Sequence, residues 1–247
     1  MKRILSLVVW LTAAGLLWGQ NTFVAPTALN GVEGTGFYIY NGPITFQQVM
    51  DPSQLLGLQV GDVITGMQLR LDSTWLASAA SSNTNFDVSI GPSNFAPGSL
   101  TSSVAGNQGA GTVLARSGSI DFPLNSFSFG SSPNAFGPFI PFTTNYTYTG
   151  GNLLLTISHQ APSAELDFDV GAGITGVQTY QAQVYNSAEL SDSSLDSGLA
   201  VQFTLATVPE PATYIAVAVS VGFSGLAIRR WQKKKRKIKR KTNVVAA

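Results

Sequence analysis

The chain of 247 residues predicts an all-β fold, an antiparallel β-sandwich or jelly roll, lying between two apolar terminal segments. Three observations predict it. Short stretches through residues 21–207 alternate apolar and polar positions with period two, the spacing between them is rich in Gly, Ser, Thr, Asn and Pro, and no sustained 3.6-residue apolar period occurs there. Such alternation buries one face of a strand and wets the other, as antiparallel sheets do, and about nine strands of this kind imply two stacked sheets.

The strands follow in order. TGFYIY near Tyr38 and ITFQQVM near Phe46 come first, and DPSQLL then predicts one short helical turn that begins at Pro52 with Asp51 as its cap. In VITGMQLRL the positions Val63, Thr65, Met67, Leu69 and Leu71 share a face, with Gln68 and Arg70 opposite. FDVSI sets Phe86, Val88 and Ile90 against Asp87 and Ser89, and SIDFPL points Ile120, Phe122 and Leu124 one way, with Pro123 marking an edge or a bulge. LLLTI (Leu153, Leu155, Ile157), LDFDV (Leu166, Phe168, Val170), VQTYQAQVY near Val184 and LAVQFTL (Leu199, Val201, Phe203, Leu205) complete the set. GPSNFAPGS, GNQGAG and SSPNAFGPFIP read as loops, and the echo of ITGMQ at Ile64 in ITGVQ at Ile174 is too short to mark a duplication.

The ends differ from the middle in charge. Of the 14 Lys and Arg, ten lie between Arg229 and Lys241 and two are Lys2 and Arg3, whereas 12 of the 13 acids lie between Glu33 and Asp196. The middle therefore holds two basic residues, Arg70 and Arg116, against those 12 acids, a formal charge of −10 that repels a phosphate backbone. No nucleic-acid partner is expected. Cysteine is absent, which excludes a disulfide framework, thiolate metal sites and a cysteine nucleophile.

Residues 1–20 carry Lys2 and Arg3 ahead of an apolar run from Ile4 to Trp18, the layout of a signal peptide handled by the Sec machinery and signal peptidase. Near the other end, 212–228 forms an uncharged apolar run of 17 residues, about 25 Å long as a helix and marginal against a hydrocarbon core of about 30 Å. Small residues fill much of it, so it predicts a single, weakly anchoring transmembrane helix. The block 229–241 follows at once with Arg229, Arg230, Lys233, Lys234, Lys235, Arg236, Lys237, Lys239, Arg240 and Lys241. By the positive-inside rule this cluster stays cytoplasmic and residues 21–207 form an ectodomain on the other side of the membrane.

Catalytic signals are sparse in the middle. His159, its single histidine, ends the LLLTIS stretch with no second histidine or cysteine to complete a zinc site and no GxSxG string to supply a nucleophile; it reads as an ordinary strand-end residue, and no catalytic residue is assigned. Glu165, Asp167 and Asp169 alternate along ELDFD and share one strand face. The plainer expectation is a solvated face that protects an edge; the alternative is a structural Ca²⁺ held with loop carbonyls, no other cofactor being expected. A polysaccharide-active enzyme pairing these carboxylates with Asp62, Asp87 or Asp121 is the weaker reading. Trp75, with Tyr38, Tyr40, Tyr146, Tyr148, Tyr180 and Tyr185, offers either a sugar-stacking platform or core aromatics.

The order VPEP, apolar span, basic block over 208–241 resembles the PEP-CTERM sorting signal of exopolysaccharide-producing Gram-negative bacteria. The resemblance implies that Pro209, Glu210 and Pro211 are the sorting motif read by exosortase, an integral-membrane cysteine protease-transpeptidase, and that the segment beyond is removed. It departs in a longer basic block and in the trailing TNVVAA. Less specifically, FQQVMDPSQL, ITGMQLRLD and GGNLLLTISH resemble the β-sandwich ectodomains that carry such signals. The expectation is an exported, non-catalytic protein, a transient inner-membrane intermediate delivered to the cell surface or extracellular matrix, with a structural or adhesive role linked to exopolysaccharide. Alternatives are a carbohydrate-binding module and a permanently anchored single-pass ectodomain.

Overall fold

Fifteen strands, all paired antiparallel, organise the described part of the chain, which in this computed structural model comprises residues 21–77 and 79–206. Segments 1–20 and 208–241, with the expected signal peptide, sorting motif and basic cluster, lie outside the described residues. Among the described residues no helix is long and apolar enough to cross a membrane.

The largest sheet has six strands. It contains β3 (Ile44–Met50), β6 (Phe86–Pro92), β7 (Val113–Arg116), β10 (Leu153–His159), β12 (Val177–Ala182) and β13 (Asp192–Leu195), in the order β13-β12-β3-β10-β6-β7. A second sheet orders β1 (Asn21–Ala25), β15 (Val201–Leu205), β4 (Val63–Leu69) and β9 (Ile140–Thr147) as β1-β15-β4-β9. A third pairs β11 (Leu166–Ala172) with β14 (Ser197–Leu199) and β2 (Gly36–Tyr40), and β5 (Ser81–Asn83) pairs with β8 (Ile120–Phe122). The chain leaving β4 makes one further bridge, Leu71 to Phe168 of β11, which links the second sheet to the third.

One apolar cluster is shared by these sheets. Phe46, Met50, Val88, Ile90, Leu155 and Ile157 reach it from the six-stranded sheet, Phe23, Ile64, Met67 and Phe203 from the four-stranded one, and Leu166 and Phe168 from the third. Burying each such side chain contributes about 1.5–3 kcal/mol. Phe23 and Phe203 are register partners on β1 and β15, and their rings stack at 5.3 Å, which pins that edge pairing.

Period two reads correctly where one face alone is covered. Phe86, Val88 and Ile90 are buried while Asp87 and Ser89 are half-buried, and Leu199, Val201, Phe203 and Leu205 all point inward. The expected turn at DPSQLL forms as a 3₁₀ turn, Pro52–Gln54, with Asp51 Oδ1 accepting the Ser53 N–H at 2.9 Å.

Three departures have physical causes. Irregularities between Ile64 and Gly66 shift the β4 alternation by one residue, so Ile64, not Val63 and Thr65, enters the core. Strand β8 stops at Phe122 before Pro123, and Leu124 stands 49% exposed beyond it. All seven residues of β3 and of β10 are buried, because loops cover the outer face of these central strands as well. That outer face is polar: Gln47 Nε2 donates to Thr156 Oγ1 and to the Val104 carbonyl, each at 3.1 Å. Asn107, closing the short helix α1 (Val104–Asn107), donates to Gln47 Oε1 at 2.8 Å.

Candidate functional site

The bridge at Leu71 and Phe168 generates the site. In an antiparallel pair that register sets Asp72 opposite Asp167 and Arg70 opposite Asp169, and two backbone bonds fix it, Asp72 N–H to Asp167 O and Asp169 N–H to Arg70 O, both 3.0 Å. Leu71 and Phe168 face the apolar cluster, so the four charged side chains share the opposite face. Asn134 Nδ2 clamps the turn by donating to the carbonyls of Leu71 and Asp72, at 3.3 and 3.1 Å.

Arg70 is the centre of this face and is only 1% exposed. Its Nε donates to Asp169 Oδ2 at 2.6 Å, its Nη1 to the Leu29 carbonyl at 3.1 Å, and its Nη2 to the Val32 carbonyl. The Phe136 ring lies 5.3 Å from the guanidinium carbon. Leu29 and Val32 belong to the loop between β1 and β2, so one side chain ties that loop to the third sheet. The expected solvent-facing arginine is thus a buried one, and its reason is Asp169, 0% exposed, directly across the strand pair.

The same loop delivers Glu33. Its Oε1 accepts the Ser73 N–H at 2.8 Å, and the next residue, Gly34, donates its N–H to Asp169 Oδ1 at 2.9 Å. A Cβ on Gly34 would collide with that carboxylate oxygen and with the Val170 carbonyl, so the close approach requires glycine. Carboxylate oxygens of Glu33, Asp72 and Asp169 lie within 4.8 Å of one another. Asp72 Oδ1 accepts from the N–H and hydroxyl of Thr74, at 2.8 and 2.5 Å.

Charge on this face is unbalanced. Four carboxylates, Glu33, Asp72, Asp167 and Asp169, meet one guanidinium, an excess of three negative charges if all are ionised. Glu33 Oε2 and Asp167 Oδ1 are buried with no hydrogen-bond donor. Burial, followed by the neighbouring Glu165 and Asp72 charges, pushes the Asp167 carboxyl up to about 6. Burial also raises Asp169, against the lowering influence of Arg70.

The sequence-predicted residues separate here. Asp167 and Asp169 are buried, 5% and 0% exposed, and only Glu165 lies on the surface, so the solvated-face expectation holds for one carboxylate of the three. The reason is that β11 is covered on both faces, by the apolar cluster and by the loop carrying Glu33. Asp87 on β6 accepts the hydroxyl of the distant Tyr185 at 2.6 Å, and Asp62 accepts the Gln59 N–H of its own turn at 2.8 Å. Trp75 is half-buried against the core with Nε1 buried, and Tyr40, Tyr146 and Tyr148 are core residues; Tyr180 and Tyr185 are half-exposed. His159 ends β10 as expected, fully buried between Tyr40, 4.2 Å away, and Phe86, 6.1 Å away, and burial pushes its pKa down to about 4.

Arg70, Asp72 and Glu33 escaped prediction because nothing local joins them. One signal was available: when LRLD and LDFD pair antiparallel about Leu71 and Phe168, Arg70 meets the opposite charge of Asp169, although Asp72 then meets the like charge of Asp167.

Apart from this buried cluster, a concavity of about 250 Å³ lies on the outer face of the six-stranded sheet, lined mainly by polar side chains, among them Thr45, Asp87, Ser89, Gln108, Ser158 and Asn186. No family model matches the chain, and no curated protein matches it in sequence.

Proposed function

We propose that the protein is an exported, non-catalytic β-sandwich that acts at the cell surface or in the extracellular matrix, in a structural or adhesive role linked to exopolysaccharide. In this reading it is handled by the Sec machinery and signal peptidase, held transiently in the inner membrane, and processed by exosortase at the VPEP segment. The observation that carries the reading is the order of parts in the sequence: a cationic and apolar start, an acidic middle, then VPEP, a short apolar span and ten basic residues. The all-β antiparallel architecture of the middle supports an ectodomain presented as a rigid surface, with two larger sheets sharing one apolar cluster.

Mass spectrometry of the surface-associated protein tests the processing step. The expected mature form lacks residues 229–241; a surface form that retains them overturns processing and leaves permanent single-pass anchoring. A second reading, glycan binding, is favoured by the polar concavity between Asp87 and Asn186, whose Ser, Thr and amide groups match sugar hydroxyls better than the half-buried Trp75 does. Glycan-array binding lost on Ser158→Leu and kept on Trp75→Phe is its expected signature.

A further inference from the structure

We infer that the acidic face around Arg70 is a binding site for a hard divalent cation of the calcium class, with Glu33, Asp72 and Asp169 as its carboxylate ligands. The inference is independent of how the chain is exported or processed. Oxygens of the three residues lie within 4.8 Å of one another. That spacing lets all three reach one ion at the Ca²⁺–oxygen distance of about 2.3–2.6 Å.

Clustering alone would not require an ion, since buried carboxylates can be neutralised by arginine or satisfied by N–H donors. Here those means leave two buried carboxylate oxygens without a partner. Arg70 commits its donors to Asp169 and to the carbonyls of Leu29 and Val32. The N–H groups of Ser73, Thr74 and Gly34 each satisfy one oxygen, on Glu33, Asp72 and Asp169 in turn.

What is left points to a cation. Asp167, 5% exposed and set by the strand register beside Asp72 on the same face, has an Oδ1 with no donor, and so does Glu33 Oε2. Leaving one such charged oxygen buried and unpaired costs at least as much as a lost hydrogen bond, and like charges opposed across a strand pair add to the cost. A dication ligated by Glu33, Asp72 and Asp169 gives Glu33 a positive partner, and its charge offsets the repulsion between Asp72 and the neighbouring Asp167. Hard oxygen donors without a single nitrogen or sulfur ligand select calcium or a similar ion over zinc or copper. The ion would join three separate stretches: the β1–β2 loop through Glu33, the turn after β4 through Asp72, and β11 through Asp169.

Calorimetric titration of the full chain in detergent with CaCl₂, alongside thermal unfolding in Ca²⁺ or EGTA, tests this. The expected result is one Ca²⁺ per chain and a higher Tm in Ca²⁺, with Glu33→Gln and Asp72→Asn each weakening the affinity at least about tenfold. Glu165→Gln, on the exposed end of the same stretch, is expected to leave the affinity within about twofold. If Asp72→Asn fails to fold, Glu33→Gln carries the test alone, because it is half-buried on a loop. Absence of Ca²⁺ binding at millimolar concentration overturns the inference. So does binding that Glu165→Gln abolishes and Glu33→Gln leaves intact.

Discussion

Two buried polar regions of this molecule solve the same problem in opposite ways. On the outer face of the six-stranded sheet, Gln47, Asn107 and Thr156 form a neutral network in which both amide groups of Gln47 and Asn107 are used: Asn107 Oδ1 accepts from the N–H and hydroxyl of Thr101, at 2.9 and 3.0 Å, while its Nδ2 serves Gln47 and the Thr101 carbonyl. Around Arg70 the groups are charged, the single guanidinium is paired with Asp169, and two carboxylate oxygens lack donors. A neutral network can close on itself because each amide is donor and acceptor at once; ionised carboxylates only accept, so a cluster of them needs outside donors or a cation.

The contrast can be broken from the charged side first. Arg70→Met leaves Asp169 buried without its counter-ion and frees the Leu29 and Val32 carbonyls, and is expected to cost about 3–5 kcal/mol in urea unfolding. A loss under 1 kcal/mol would mean that Asp169 is no longer ionised once the guanidinium is removed.

His159 is a third kind of buried polar group, a titratable ring enclosed by aromatic neighbours. Its folded value of about 4 lies below the ordinary 6.5, so the unfolded chain takes up the proton more readily. The neutral ring's contribution is therefore fully present above about pH 6.5 and is lost as pH falls through about 4, about 3 kcal/mol in all. Asp167 works in the opposite sense, since a carboxyl raised to about 6 is protonated first in the folded state. Comparing wild type with His159→Phe between pH 7 and pH 4, in EGTA, isolates the histidine: the variant is expected to lose less stability on acidification.

Breaking the neutral network should cost less than breaking the ion pair. Asn107→Ala strands Gln47 Oε1 and the Thr101 N–H and is expected to destabilise by about 1–3 kcal/mol, with no dependence on salt or on Ca²⁺. Calcium dependence of that loss would show the two regions to be coupled. The smallest effect is expected outside both: Leu124→Ser, at an exposed position, should stay within about 0.5 kcal/mol of wild type by the same unfolding measurement.

How far these regions were readable depended on what covers a strand. Phe86, Val88 and Ile90 follow the period-two rule because one face of β6 meets the apolar cluster and the other meets water or polar loops. On β10 the rule loses its signal, for Leu154, Thr156 and Ser158 are as buried as Leu153, Leu155 and Ile157. Sequence periodicity measures contrast between faces, and a strand covered on both sides shows none. The β4 bulge was invisible for a related reason: one extra residue in a strand changes the phase of the alternation without changing its composition.

The amino-acid sequence by itself determined the β class, the capped turn at Asp51, the acidity of the middle and its separation from the terminal lysines and arginines, because composition, local period and charge order are properties of neighbouring residues. It also set Asp167 and Asp169, with Glu165, on one strand face. Only the tertiary structure decided that this face is buried, that Arg70 rather than solvent meets Asp169, and that Glu33 and Asp72 complete the group. Residues 33, 72 and 169 share no local pattern; the Leu71–Phe168 bridge and the loop held by Arg70 bring them together, and cross-strand register is a long-range property that no window of sequence contains.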